Sequence, residues 1–273
     1  LPRIAGLSGG SPELSGGPSG VSGATIAVYS VKGGVGKTTF AANLAWCSAR
    51  ISRHKTLLWD LDAAGGSGFL YGLESKGAKQ AGEVFAHDRT SNERAAMRLI
   101  QKTACERVDL LPADESIRAL DARLVAIGKR RRLAKLAQAL GQQYPRIVLD
   151  CPPVISELSA QIVRAADLVI VPLPPSPLSS RAFDLVVREI AASTRRHPPL
   201  LPVLSMVDMR RTLHRDVREQ HPDWPCVPYA SALEQCAVQH RPVGEFAPQS
   251  PAARAFAQLW GAIEKKLAER KSG

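Results

Sequence analysis

The chain has 273 residues, 45% of them apolar and 22% charged, and a formal net charge of +11. That balance suits a soluble globular core with a polyanionic partner, and no apolar run approaches the roughly 18 residues that a membrane span needs. Five scattered cysteines (Cys47, Cys105, Cys151, Cys226 and Cys236) show no metal-type pairing, and their odd count argues against a disulfide framework, so a reducing cytoplasm is expected.

Residues 1–23 consist largely of Gly, Ser and Pro with little to bury, and read as a flexible tail without a secretory signal. From Ala24 to Gly273 one domain is expected, because no repeat and no second break in composition occurs. The apolar, β-branched run 24–30 predicts a strand, and the apolar spacing of Phe40, Leu44 and Cys47 predicts a helix over 39–50. Between them lies KGGVGKTT, residues 32–39. The ordinary phosphate-loop spacing is a glycine, four free positions, then Gly-Lys-Ser/Thr. Gly36, Lys37 and Thr38 fit its end, while Val31 stands at the first-glycine position and Lys32 adds a second lysine. Gly33, Gly34 and Gly36 let successive amides converge on phosphate oxygens, Val35 and Thr39 complete the loop, Lys37 can bridge the β- and γ-phosphates, and Thr38 can offer its hydroxyl to Mg2+.

Further strands are expected at 56–61, 108–111, 146–150, 167–172, 201–207 and 225–228, with helices at 115–127, 129–142, 178–194, 212–220, 231–238 and 251–269. The alternation indicates an α/β fold with a single doubly wound, mainly parallel sheet and helices on both faces. In such sheets chemistry gathers beyond the carboxyl ends of the strands. Asp150 ends the run IVLD just before Cys151-Pro152-Pro153, and Asp60 and Asp62 end TLLWDLD before Ala63-Ala64-Gly65-Gly66. A carboxylate at Asp150 can hold Mg2+ through a water, and Asp62 is the better placed of the second pair to reach a γ-phosphate.

KGGVGKTT, the DLD strand end and LDCPP together resemble the ParA/MinD group of deviant Walker-A P-loop ATPases, most closely its ParA branch. VDLLPAD at 108–114, SMVDMRRTLHRDV at 205–217 and the segment 241–263 extend the resemblance over Ala24 to Leu267. It implies ATP and Mg2+ as cofactors, hydrolysis of ATP that is slow and stimulated by a ParB-like or other adaptor, and an ATP-bound homodimer. By the same resemblance Lys32 crosses the dimer interface to the partner's phosphates, Lys37 is the phosphate-loop lysine, Thr38 the magnesium ligand, Asp62 the residue that positions the attacking water, and Asp150 the Walker-B carboxylate. Adenine-side contacts are implied near Met206, Asp208 and Pro228. Family members carry Pro-Gln where this chain has Ala63-Ala64.

Charge points to the partner. Residues 117–135 carry a net +6, and residues 195–218 a net +4 from Arg195, Arg196, Arg210, Arg211, Arg215 and Arg218 less Asp208 and Asp216. Aromatic residues make up only 5% of the chain, so non-specific contact with duplex DNA phosphates is expected rather than stacking on single strands. With the resemblance, this implies a nucleoid-associated cytoplasmic ATPase that partitions or positions a plasmid, a chromosome locus or a protein cargo. The alternative is a MinD-like membrane regulator, using the stripe Phe256, Trp260, Ile263 and Leu267 beside Lys265 and Lys266. Core packing of that stripe, and hence no membrane partner, is the expectation. An iron–sulfur reductase related to the group would need bridging cysteines, which the spacing does not supply.

Overall fold

Short runs of β-branched and aliphatic residues supply a sheet that is buried on both faces, which is why its strands read as continuous apolar stretches rather than alternating ones. A computed structural model describes residues 23–73, 81–85, 89–128, 131–193 and 197–272. In chain order these form β1 (Ala24–Val28), α1 (Lys37–Arg50), β2 (Thr56–Asp60), α2 (Gly66–Leu70), a 3-10 turn (Ala81–Phe85), α3 (Arg89–Leu99), β3 (Gln101–Lys102) and β4 (Val108–Leu111). A second 3-10 turn (Glu115–Ala119), α4 (Leu120–Ile127), α5 (Arg132–Leu140), β5 (Arg146–Asp150), α6 (Glu157–Ala165), β6 (Leu168–Leu173) and α7 (Pro177–Ser193) follow. The chain then continues through β7 (Leu200–Val207), α8 (Thr212–Gln220), β8 (Cys226–Pro228), α9 (Ser231–Gln239), α10 (Val243–Phe246) and α11 (Pro251–Ser272).

The eight strands make one sheet in the order β3-β4-β2-β5-β1-β6-β7-β8, parallel throughout except for the antiparallel edge pair β3-β4. Because β1 lies between β5 and β6, the loop after β1 emerges at the middle of the sheet beside Asp150. Successive residues face opposite ways: Ile26, Val28, Leu58 and Val148 pack with α1 and α11, while Ala27, Trp59 and Leu149 pack on the other face with α5 and α6.

Several elements differ from the expected ones. The helix expected over 115–127 divides, because the Asp114 side chain accepts from the Ser116 amide and closes a 3-10 turn before α4 begins. The strand expected over 56–61 ends at Asp60, so Asp60 and Asp62 do not share a strand face: Asp60 is buried and Asp62 sits in the following turn. Helices α2, α3, α6 and α10 and strand β3 add to the expected set. Residues 1–22, together with Lys129, Arg130, Arg195 and Arg196, lie outside the described residues.

The last helix is fastened to the sheet rather than left free. Phe256, Trp260, Ile263 and Leu267 are all buried, and the Trp260 indole donates to Ser52 Oγ at 2.8 Å. Arg146, buried at the start of β5, makes a two-pronged ion pair with Glu264, Nε to Oε1 and Nη2 to Oε2, each 2.9 Å. Arg270 Nη1 donates to Asp167 Oδ1 at 2.8 Å, and Asp167 Oδ2 accepts from the Thr25 amide at 2.9 Å. Among the described residues no helix is long and apolar enough to cross a membrane.

Removing one partner of a buried ion pair strands the other charge. Glu264→Ala is therefore expected to lower unfolding stability by roughly 2–4 kcal/mol in urea denaturation, since Glu264 is itself partly exposed. A cost below about 0.5 kcal/mol would show that the pair does not hold α11.

Candidate nucleotide site

The loop between β1 and α1 is built for close approach by an anion. Gly34 has φ 71° and Gly36 has φ 92°, left-handed conformations that side chains disfavour, and Gly36 is the residue from which α1 starts. Helix α1 carries no acidic residue in its first turn, so the positive end of its dipole is uncompensated there. Val31, where the ordinary loop has its first glycine, is half-buried and packs against the apolar core on the α5–α6 face.

Lys37 points back under the loop, with Nζ donating to the Lys32 carbonyl at 3.4 Å. Its burial pulls the ammonium below the usual lysine range, against the opposing charges of Asp150 and Asp62. Lys32 does something else. Its Nζ leaves the loop interior and reaches the hydroxyls of Ser176 (3.4 Å) and Ser179 (3.3 Å) at the start of α7. The two lysines five residues apart thus occupy separate places, one inside the loop and one on its rim.

Three aspartates meet beside the loop. Asp60 is fully buried at the end of β2; its Oδ1 accepts from the Asp62 amide and its Oδ2 from the Ser67 amide, both at 3.0 Å. Burial, and then the charge of Asp150, push its carboxyl well above the usual range. Asp62 folds into a tight turn in which its Oδ1 accepts from the Ala64 amide at 3.1 Å and its carbonyl from the Gly65 amide at 2.9 Å. That turn closes with Ala63-Ala64 in place of Pro-Gln.

Asp150, at the end of β5, is also fully buried, and burial pushes its carboxyl up to about 6, against the opposing influence of the nearby Thr38 and Ser67 hydroxyls. Its Oδ2 accepts from Ser67 Oγ at 2.9 Å, while Oδ1 has no hydrogen-bond partner. A buried carboxylate oxygen without a partner costs free energy unless something positive or protic is to meet it. With the Thr38 hydroxyl beside it, this donor set fits Mg2+, which keeps several waters and takes few protein ligands.

An apolar cavity of about 150 Å³ opens next to the start of α1. Met206, Pro228, Tyr229, Phe40 and Glu234 line it, together with the loop residues Val35, Gly36 and Thr39. Of the three positions assigned to the adenine side, Met206 and Pro228 thus face this cavity. Asp208 does not line it; its carboxylate is bound by Arg210 at 2.9 Å. Tyr229 and Glu234, joined by a 2.8 Å hydrogen bond, were not expected there. Their one available signal is Pro228 immediately before Tyr229, which ends β8 at the sheet's carboxyl edge.

The basic residues after β7 divide by environment. Arg218 Nη1 donates to the carbonyls of His221, Pro222 and Trp224, each at 2.9 Å, and so caps the chain leaving α8. Arg215 is bound to the carbonyls of Met209 and Arg210 at 3.1 Å. Arg210 is largely exposed although paired with Asp208, and Arg211 is exposed at the start of α8.

A family model described as an AAA domain matches residues 23–200. The chromosome partitioning protein ParA of Myxococcus xanthus is 34% identical over 203 residues, covering 72% of this chain and 70% of that protein. The sporulation initiation inhibitor protein Soj of Bacillus subtilis is 26% identical over 249 residues, 87% of this chain and 96% of its own length. Among solved structures, cobyrinic acid a,c-diamide synthase of Mycobacterium smegmatis, with an ATP analogue and magnesium bound, superposes with a TM-score of 0.73 at 24% identity, over 89% of this chain and 94% of that one. Fold likeness to an amide synthase does not choose a reaction, whereas the sequence relative from Myxococcus xanthus is a chromosome partitioning protein. The chain belongs to the AAA-domain family of that model and, within it, to the ParA/MinD group of P-loop ATPases.

Proposed function

We propose that the chain is a ParA-like ATPase whose binding of ATP and Mg2+ drives face-to-face dimerisation, and whose dimer holds duplex DNA without sequence preference while it partitions or positions a cargo. The observation that carries the reading is the separation of the two lysines: Lys37 already fills the loop interior, and Lys32 stands on the rim bonded to Ser176 and Ser179. A second copy of the chain that docks on the carboxyl edge of the sheet would meet the rim on which Lys32 stands. Exposed Val154, Ile155, Leu178, Met209 and Leu213 give that edge apolar surface to bury in such a contact.

In this reading the Gly33–Thr39 amides and the α1 dipole bind the phosphates, and Lys37 neutralises charge between the β- and γ-phosphates. Magnesium supplies further neutralisation of the phosphate oxygens; the Thr38 hydroxyl and Asp150 Oδ1 are the groups that would hold it. Asp62, held by its turn beside Lys37, positions a water for attack on the γ-phosphate. Met206, Pro228 and Tyr229 enclose the base. Because the contact made by Lys32 is completed by a partner subunit, hydrolysis is slow alone and is open to stimulation by a ParB-like or other adaptor. Arg210 and Arg211 are the arginines exposed for DNA phosphates in the region after β7, with Arg218 excluded by its three carbonyls. The protein works in the cytoplasm on the nucleoid. A MinD-like membrane role is disfavoured, because the apolar stripe of α11 is buried in the domain.

Lys37→Ala is expected to weaken ATP binding about a hundredfold or more, through lost phosphate neutralisation and a disturbed loop. Lys32→Ala should leave ATP affinity of the monomer within a few-fold and abolish the ATP-dependent dimer in sedimentation velocity. Equal dimerisation of Lys32→Ala and the native chain would contradict the proposed trans contact. On duplex DNA with ATP, Arg211→Ala should weaken retention at every sequence and reduce the slope of log affinity against log salt by about 1. Arg218→Ala should instead lower thermal stability. Retention that ignores nucleotide state would contradict the switch.

A further inference from the structure

Ser67 occupies a place that the roles above leave unexplained. It is fully buried in the first turn of α2, five residues after Asp62. Its amide donates to Asp60 Oδ2 at 3.0 Å and its hydroxyl to Asp150 Oδ2 at 2.9 Å, so one residue links the ends of β2 and β5. The amide contact ties the start of the short helix to β2, and the hydroxyl makes a separate bond to β5.

An aspartate carboxyl group turns about a broad, roughly two-fold torsion, so its plane is poorly defined until an oxygen is bound. Asp150 has one oxygen bound, by Ser67, and the other without a partner. A metal-bound water has to find a carboxylate oxygen in a fixed place, and partners that orient a metal's ligands matter nearly as much as the ligands. Gly66, the neighbour of Ser67, touches the other candidate magnesium group: a Cβ there would come within 3.0 Å of Thr38 Cγ2 and 3.3 Å of its hydroxyl. Two successive residues thus abut both sides of the site, and a side chain at Gly66 would crowd the Thr38 side chain.

We infer that Ser67 is a positioning residue for the magnesium site: its hydroxyl fixes the Asp150 carboxylate through Oδ2 so that Oδ1 is presented to a metal-bound water, while Gly66 leaves Thr38 room to turn its hydroxyl the same way. The inference rests on the assignment of Thr38 and Asp150 to magnesium in the proposed function. It also gives α2 a mechanical role. The segment that follows Asp62 is tied to the metal side of the site through Ser67, so the turn carrying Asp62 and the Asp150 carboxylate are joined through one residue.

The test is ATP binding to the full chain by calorimetry, first in EDTA and then across a Mg2+ titration, for the native protein, Ser67→Ala and Ser67→Cys. Cysteine preserves the volume in case alanine does not fold, and it donates only weakly. Both variants should bind ATP in EDTA within about twofold of native, and both should need about tenfold more Mg2+ to reach the tight-binding state. Loss of affinity by the same factor with and without Mg2+ would mark Ser67 as merely structural, and a native-like Mg2+ midpoint in the variants would overturn the inference directly. If ATP binding by the native chain ignored Mg2+, the assignment of Thr38 and Asp150 would itself fall.

Discussion

Everything at the carboxyl edge of this sheet depends on charges buried where parallel strands converge. Lys37, Asp60 and Asp150 are nearly or wholly excluded from solvent, and burial opposes the ionised form of each. Hydrogen bonds relieve part of that cost: Asp60 is bound by two backbone amides and Asp150 by one hydroxyl. The remainder is stored as one oxygen without a partner and one lysine held below its ordinary affinity for protons. Such a site gains most when a polyanion and its metal arrive together, and that links ligand binding to the order of the segments around it.

The scaffold explains why these groups tolerate the arrangement. Strand β1 is central, flanked by β5 and β6, so the loop and Asp150 are carried on the most enclosed part of the sheet. Helix α11, fastened through Arg146, Ser52 and Asp167, covers the α1 face and shields the base of the same strands. The rim differs: Lys32, the start of α7 and the loop after β7 meet solvent with apolar side chains exposed among basic ones. The interior is suited to holding a phosphate chain, and the rim to meeting another molecule.

Much of this was legible in the sequence, for identifiable reasons. The loop depends on glycines and lysines at fixed spacing, and strand-end aspartates stand next to apolar runs, so local pattern reveals both. The start of α2 was not legible, because Gly-Gly-Ser-Gly has low helix propensity and no apolar period; bonds from Ser67 to Asp60 and to Asp150, which is distant in the chain, help hold it in place. Helix α3 escaped notice because RTSNERAAMRL is mostly polar. Tyr229 and Glu234 belong to a cavity whose other walls come from α1 and β7, distant in the chain. Counting charge grouped Arg218 with Arg211, although the first is tied to three carbonyls and the second is exposed.

Action of Lys32 across subunits is the central claim, and complementation tests it most directly. A Lys32→Ala chain keeps its own Asp62, and an Asp62→Ala chain keeps its own Lys32. Mixed dimers therefore contain one site with the Asp62 of its own subunit and Lys32 from the partner. Steady-state ATP hydrolysis of the equimolar mixture, set against each variant alone, is predicted to rise well above both. Hydrolysis no greater than the mean of the two separate variants, with mixed dimers present in sedimentation, would show that Lys32 serves its own subunit and would contradict the account.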